Sequence, residues 1–294
     1  TEVAGNHIHH LGQVYKHNGA ITLQNGASRN HVAENVVHDL TRYGITMKLA
    51  GFENVIAYNR VLNTNLETYD TGGIEVTQQK RDERSGSKII GNIVGDTVGY
   101  STTADKPTFL SWSIYLDSFA GGYTVTNNLC YRSMHGGIMF QGGKDNIVTN
   151  NLLLDGFAGQ GHISNFAKNM TGCVLERNIV WWTNPTAYVW TGPAVTDDVI
   201  RVDRNLYCCP GATDPKMGYG YKTFAAWQQA GHDANALVAD PLFVNPAQDD
   251  YTLKPDSPAF KLGFQKLDLA RVPRCKCHIE KLAPVYFSNG PWPK

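Results

Sequence analysis

One short phrase, an asparagine followed within one or two residues by Ile, Val or Leu, recurs along most of the chain and constrains its fold more than any other feature. Successive copies are 23 to 36 residues apart. Self-similarity at such a period is typical of a solenoid, in which each repeat forms one coil that packs on its neighbours. The clearest copies begin at Asn6, Asn35, Asn59, Asn92, Asn128, Asn151, Asn178 and Asn205.

Short β-type segments precede several of these asparagines, as in the stretches 30–35 and 88–92. The asparagine therefore marks a corner between two strands. Asn tolerates left-handed backbone angles, and its amide can hydrogen-bond to an adjacent turn. We expect the corner asparagines to stack and to satisfy one another from coil to coil.

A third strand is predicted after most corners, in the stretches 44–47, 73–76, 113–116 and 137–140. Strand alternation places the first Ile of each of these stretches, and the residue two positions after it, inward. It leaves Thr46, Glu75, Tyr115 and Met139 facing out. Three short strands per coil, without an amphipathic helix between them, predict an all-β, right-handed parallel β-helix. A leucine-rich repeat is the main competitor, but its LxxLxL phrase is absent. The predicted inward residues are Ile45, Met47, Ile74, Val76, Ile114, Leu116, Ile138 and Phe140.

The repeat pattern changes after Cys209, so we assign residues 1–209 to the coils and residues 210–294 to a coil completion and cap of the same domain. A short helix is predicted over 223–230, with Phe224 and Trp227 on one face and Gly231 as its stop. A strand pair is predicted at 240–244 and 250–253, closing the open edge of the last coil. The first coil begins within a few residues of Thr1, so the natural protein is expected to be longer at its N-terminus.

The charge balance argues against two classes of partner. Lys plus Arg and Asp plus Glu each number 26, which gives a formal net charge of zero. A nucleic-acid groove or an anionic membrane surface normally needs a basic excess. No apolar run approaches the ~20 residues that span a bilayer. We expect a monomer with no nucleic-acid or membrane partner.

The cysteines lack the density of a disulfide scaffold, so structural thiols are expected. Cys275, Cys277 and His278 offer metal-ligand types, but no second cysteine pair accompanies them, and no metal site is predicted. Histidines raise the same question near the N-terminus, at His7, His9, His10 and His38. His9 and His38 each follow a corner asparagine by three residues, which favours a stacked structural ladder. The six cysteines are Cys130, Cys173, Cys208, Cys209, Cys275 and Cys277.

Candidate catalytic acids converge between the two longest intervals of the repeat, where insertions of a solenoid often build a binding site. Asp117 and Glu75 lie on neighbouring coils, two positions apart, so their backbones are ~8 Å from each other. Asp70 joins them only if the stretch 71–73, with its two glycines, folds the chain back across the groove. Paired carboxylates at such separations suit a retaining or an inverting glycosidase, and both remain open.

Aromatic and polar residues near these acids are candidates for sugar binding, since aromatic faces stack on sugar rings and amides bond to hydroxyls. Trp112 is the predicted stacking platform. His135, one coil above Asp117, could contact the substrate or assist proton transfer. The predicted substrate-binding residues are Trp112, Tyr115, His135, Gln141, Lys48 and Tyr69.

The ordered set LETYDTGGI (66–74), IYLD (114–117), GGIM (136–139), QGGKDN (141–146), DPLF (240–243) and SPA (257–259) resembles the catalytic region of glycoside hydrolase family 141. That family consists of bacterial parallel β-helix enzymes that act on plant polysaccharides, with fucosidase and xylanase members. The resemblance implies a secreted or periplasmic hydrolase. Its two catalytic aspartates would fall on Asp70 and Asp117, and no cofactor is implied.

Two alternatives stay open. A polysaccharide lyase would use Lys48 or Arg42 as base and Ca²⁺ to neutralise a uronate, although no compact Asp cluster with an Arg-Lys pair is present. A non-catalytic carbohydrate-binding solenoid would need only the aromatic groove, because a fold does not imply a function.

Overall fold

The computed structural model describes residues 1–78, 80–101, 108–166, 168–193, 196, 198–275 and 279–284. Short β-strands form three parallel sheets, and each coil passes from sheet 1 through sheet 2 to sheet 3. Corresponding strands of successive coils pair in parallel, which makes the chain an all-β solenoid. Among the described residues no helix has the length and apolar character needed to cross a membrane.

The strand bounds show how regularly the coils repeat. Sheet 1 contains Glu2–Ala4, His31–Ala33, Val55–Ala57, Lys88–Ile90, Thr124–Thr126, Ile147–Thr149, Cys173–Glu176 and Ile200–Asp203. Sheet 2 contains His7–His9, Val36–His38, Arg60–Thr64, Ile93–Thr97, Leu129–Ser133, Leu152–Leu154, Ile179–Trp181, Leu206–Cys208 and Leu237–Val238. Sheet 3 contains Gly19–Gln24, Tyr43–Lys48, Thr71–Gln78, Ser111–Ser118, Ile138–Phe140, Gly159–Ile163 and Tyr188–Thr191. Tyr100–Ser101 and Thr108–Phe109 form a small antiparallel pair before the fourth strand of sheet 3.

The predicted asparagine ladder is confirmed and runs from Asn6 to Asn205. At a typical rung, the Nδ2 of Asn128 donates to the Oδ1 of Asn151 over 3.0 Å. The left-handed backbone, however, belongs to the residue before each ladder asparagine, as at Glu34 and Asn127, and not to the asparagine itself. The asparagine amide instead binds the carbonyls around that corner, which satisfies buried backbone groups.

The inward residues predicted for sheet 3 are confirmed, since all eight belong to the main core cluster. The outward residues Thr46, Glu75, Tyr115 and Met139 were expected at the surface, yet each is at most 4% exposed. Tyr115 and Met139 form a second small cluster with Trp112. Side chains of neighbouring coils and loops therefore cover much of the outer face of sheet 3.

The predicted helix is confirmed as α1, Phe224–Gln229, capped by the Thr223 side chain. Trp227 inserts from α1 into the main core beside the last coil. The predicted strand pair is present as Phe243–Asn245 and Asp250–Leu253, in antiparallel register. The chain between them and after them contains two short 3-10 helices, Pro246–Gln248 and Pro258–Leu262.

The placement of the C-terminal segment differs from the prediction. Residues 243–275 and 279–284, which we call the strap, lie along the outside of sheet 2 instead of over the last coil. Gln265 bonds Asn150, and the carbonyl of Pro273 accepts from Arg60 over 2.8 Å. Arg271 reaches Glu34 of the second coil. The strap therefore runs back from the last coils to the first, over an apolar surface on the outside of sheet 2.

The cysteines divide into two groups. Cys130, Cys173, Cys208 and Cys209 are free thiols, as predicted. Cys275 takes part in a disulfide, which the sequence analysis did not predict. Cys277 and His278 lie outside the described residues.

Candidate functional site

The register of sheet 3 brings the predicted polar column together. Lys48 pairs with Thr77, and Thr77 pairs with Asp117 on the next coil. Gln141 follows Phe140, the partner of Leu116, so it lies beside Asp117 on the third coil. The Gln141 Oε1 accepts a hydrogen bond of 3.0 Å from the backbone N–H of Ser118. The alignment made from the sequence is therefore correct in register.

Glu75 is buried at 2% exposure and forms an ion pair with Lys48. Its second oxygen accepts from the backbone N–H of Gly72 over 3.0 Å. Burial raises the pKa of Glu75, against the opposing influence of the Lys48 charge. Burial also lowers the pKa of Lys48, but the charge and hydrogen bond of Glu75 outweigh it, so the net pKa of Lys48 is raised.

Both oxygens of Glu75 are thus engaged below the surface of the groove. A catalytic role for Glu75 stays a prediction. In the structure its carboxylate positions Lys48 and the turn at Gly72.

Asp117 is half-buried, and the Ser118 hydroxyl donates to its Oδ1 over 3.1 Å. Burial raises the pKa of Asp117 above its ordinary value. The Lys48 charge and the Ser118 hydrogen bond lower it in part, while the negative charge of Asp70 adds to the rise. A carboxyl group in such surroundings holds its proton more readily than a solvated one, which suits it to act as a general acid.

Asp70 is exposed and adopts a left-handed backbone conformation with φ of 53°. The Tyr115 hydroxyl donates to its Oδ1 over 3.3 Å. The chain can make this approach because a Cβ on Gly72 would lie 2.8 Å from the Cβ of Tyr115, so only glycine fits there. Thr71–Gln78 is one continuous strand that pairs in register with Ser111–Ser118, so the expected fold-back of the chain at 71–73 is not seen, and Asp70 reaches Tyr115 from the start of this strand.

Tyr115 interacts with all three acids, with Asp70 through a hydrogen bond and with Asp117 and Glu75 through their charges. Its side chain is 2% exposed, and burial, followed by the charges of the three carboxylates around it, raises its pKa. Asp117, Asp70 and Glu75 each contribute to that rise. Tyr115 therefore stays protonated and can donate its hydroxyl to Asp70 throughout the physiological pH range.

A groove of about 520 Å³ opens beside Asp70 and Tyr115. Trp112 lines it but is only 2% exposed, because its ring packs against Tyr115 and two histidines. The prediction that Trp112 presents an open stacking face is therefore wrong. Its indole Nε1, like the Nδ1 of His135, is buried with no hydrogen-bond partner among the described residues.

Two histidines share this groove, His135 and His162. Burial, with a smaller contribution from His162, lowers the pKa of His135 to about 4. Burial also lowers the pKa of His162 to about 4, and its Nδ1 lies 2.9 Å from the Thr191 hydroxyl. Both rings are neutral at pH 7, so His135 is suited to hydrogen bonding and not to carrying a proton at that pH.

Two further residues of the groove, His162 and Phe166, were not predicted from the sequence. His162 pairs with Met139 and so continues the outward row of Tyr115 by one more coil, a position that extending the alignment would have found. Phe166 lines the groove with 76% of its side chain exposed and follows the strand Gly159–Ile163 in a loop that carries no repeat signal. Tyr69, next to Asp70, is 40% exposed. These two aromatics, and not Trp112, present open ring faces.

No family model matches this chain, and no curated protein matches it at a significant level. The fold and the site define an all-β solenoid with a groove on sheet 3 that Asp70 lines.

Proposed function

We propose that this protein is a glycoside hydrolase that uses Asp117 and Asp70 as its pair of carboxylates. The observation that carries the proposal is the contrast between these two acids around Tyr115. Asp117 is half-buried with a raised pKa, whereas Asp70 is exposed and accepts the Tyr115 hydroxyl. Two carboxylates in different environments are the arrangement that separates an acid from a base or nucleophile.

In this proposal Asp117 donates its proton to the glycosidic oxygen as the bond from that oxygen to the anomeric carbon breaks. Asp70 either attacks the anomeric carbon directly or takes a proton from the water that attacks it. Tyr115 orients the Asp70 carboxylate through its hydrogen bond. Lys48, held by Glu75, limits how far the Asp117 pKa rises.

The groove supports a neutral sugar as substrate. Among the described residues that line it, Asp70 is the one acidic residue, Asp117 lies outside this lining, and no Lys or Arg is present to bind a uronate. The lyase alternative also needs a neutral basic side chain, whereas the raised pKa of Lys48 keeps its ammonium protonated. We therefore favour a neutral plant-type polysaccharide or oligosaccharide, of the kind that the family 141 resemblance implies, over a pectic one.

The right-handed parallel β-helix, the bacterial origin and the secreted or periplasmic location belong to the same proposal. They rest on the resemblance of the motifs around Asp70 and Asp117 to glycoside hydrolase family 141.

Single substitutions of the two acids test the proposal on any glycan that the protein cleaves. Asp117→Asn and Asp70→Asn should each lower turnover by roughly 10²- to 10⁴-fold, as the loss of a general acid or base does. Asp256→Asn, at an exposed position of a distant turn, is the matched control and should leave turnover unchanged. If both active-site variants keep wild-type turnover, the proposed pair is not the catalytic pair.

An aryl glycoside with a good leaving group separates the two roles. Such a substrate needs no proton from the enzyme, so Asp117→Asn should keep most of its turnover on it, while Asp70→Asn should stay inactive. The reverse pattern would exchange the roles of the two acids.

A further inference from the structure

A cluster of imidazoles lies on the first two coils, in sheet 2 and away from the groove on sheet 3. His9 pairs with His38 in register, and their rings stack with centroids 5.2 Å apart and an interplanar angle of 11°. The histidine ladder predicted from the sequence is therefore confirmed. It does not account for His7, whose ring lies 5.0 Å from that of His38 at a tilted angle.

His7 and His38 direct the same ring nitrogen at each other. Their Nε2 atoms are 2.7 Å apart, and the Sγ of Cys275 lies 3.8 Å from the Nε2 of His7. One potential ligand atom from each of the three residues lies within 4.8 Å of the others. Cys275 reaches this position because the strap returns along sheet 2 to the first coils, a contact across more than 260 residues of chain that no local motif encodes.

Asp39 fixes the tautomer of the buried histidine. Its Oδ2 lies 2.7 Å from the Nδ1 of His38, and since a carboxylate only accepts, the hydrogen is on Nδ1. The Nε2 of His38 therefore carries the lone pair that faces His7. Asn63 donates to the other oxygen of Asp39 over 2.8 Å. A carboxylate behind the ring is the arrangement that orients metal-binding histidines and strengthens them as ligands.

We propose that His7, His38 and Cys275 form a site for a divalent transition metal of the zinc type, which is complete only when the Cys275 disulfide is reduced. A dithiol or phosphine reductant supplies two electrons, and with two protons the disulfide becomes two thiols. The Cys275 thiol loses its proton as its sulfur binds the metal. Two imidazole nitrogens and one thiolate supply three of the four ligands of a tetrahedral ion.

The ligand geometry needs only a small adjustment. A tetrahedral ion with bonds of about 2.0 to 2.1 Å to nitrogen requires the two Nε2 atoms to lie about 3.3 Å apart. His7 is exposed and can rotate outward by that amount, while His38 stays buried and held by Asp39. Metal binding would then join the strap to the first two coils, and the redox state of Cys275 would control that link.

Titration of the untagged protein with Zn²⁺ and Co²⁺ tests this site, in the oxidised state and after reduction with a phosphine. We expect one equivalent to bind per reduced chain, at least tenfold more tightly than to the oxidised chain. The Co²⁺ form should show a thiolate-to-cobalt charge-transfer band. Asp39→Asn should weaken binding by roughly 10- to 100-fold, as loss of a carboxylate behind a ligand histidine does.

Ligand and control variants decide the outcome. His7→Ala changes an exposed side chain and His38→Gln keeps a polar group in the buried position, so both should fold, and both should lose the tight binding. His31→Ala, on the same coils but beside Glu2, should bind like the wild type. Equal affinity in the oxidised and reduced states, absence of the charge-transfer band, or unchanged binding by His7→Ala would each overturn the proposal. The readout is binding, so the result is independent of the proposed hydrolase activity.

Discussion

Sheets 2 and 3 belong to the same coils, yet their outer faces have opposite character. On sheet 2 the outer row is apolar and is covered by the strap; it consists of Ile93, Leu129, Leu152, Ile179 and Leu206. On sheet 3 the outer rows are polar and aromatic, and a groove opens beside them. Both faces have the same strand geometry, because parallel strands of successive coils form each sheet. The chemistry of the outward side chains decides which face the chain buries and which it leaves for a ligand.

Phe243→Ala, on the face of sheet 2 that the strap covers, should lower the stability of the protein more than any other substitution considered below. Phe243 is 6% exposed and packs edge-on against Trp181 and Tyr251. Removal of a buried Phe side chain typically costs about 3 to 5 kcal/mol. Urea unfolding should show that loss, whereas Phe166→Ala, the same change at an exposed position beside the groove, should alter the free energy of unfolding by less than about 0.5 kcal/mol. Equal losses in the two variants would contradict the contrast between the faces.

His135, in the groove on sheet 3, should make the free energy of unfolding depend on pH. Its folded pKa of about 4 lies below the ordinary value of 6.5, so protonation favours the unfolded chain. The stability that the neutral ring contributes is present above pH 6.5 and is lost as the pH falls toward 4. The expected loss is about 3 kcal/mol relative to His135→Gln. Parallel stability curves for the two proteins between pH 7 and pH 4 would show that His135 is not buried as a neutral ring.

Asp117 should give the folded chain a smaller pH dependence of stability, opposite in sign to that of His135. The folded pKa of Asp117 is raised by burial, with Lys48 and Ser118 offsetting part of the rise. Protonation therefore favours the folded chain, and wild-type stability should fall relative to Asp117→Asn as the pH rises from below 3.8 through the folded pKa. Thermal unfolding of both proteins across that range measures the difference. A difference that does not change with pH would mean that Asp117 is as solvated in the folded chain as in the unfolded one.

Phe166→Ala should have the smallest effect, on substrate binding alone. An open aromatic face contributes ~1 kcal/mol to the binding of a stacked ring, so KM should rise about fivefold with kcat unchanged. Tyr15→Ala, at a residue with similar exposure that does not line the groove, is the control. A lower kcat with unchanged KM would place Phe166 in the chemical step and not in binding.

Much of the fold was predictable because its signals are local and periodic. The corner asparagines, the inward row from Ile45 to Ile138 and the helix at Trp227 each follow from spacing within a coil or a turn. The path of the strap was not predictable. Its contacts, such as Arg271 with Glu34, join residues more than 200 positions apart, and no repeat relates them.

The candidate site was predictable in register but not in exposure. Alignment places Lys48, Asp117 and Gln141 side by side, because parallel strands keep their register from coil to coil. Whether an outward side chain is open depends on loops and neighbouring coils, which bury Glu75 and Trp112. Strand alternation distinguishes inward from outward positions, but it does not distinguish an outward residue that is covered from one that is exposed.

The decisive experiment is incubation of the purified protein with a panel of fucosylated, xylan and pectic oligosaccharides. We expect new reducing ends to appear from a neutral glycan, without the near-ultraviolet absorbance of unsaturated products and without a loss of activity on addition of a chelator. Unsaturated products from a pectic glycan would contradict the hydrolase proposal in favour of a lyase. Binding of a glycan with no release of reducing ends over days would contradict it in favour of a non-catalytic carbohydrate-binding solenoid.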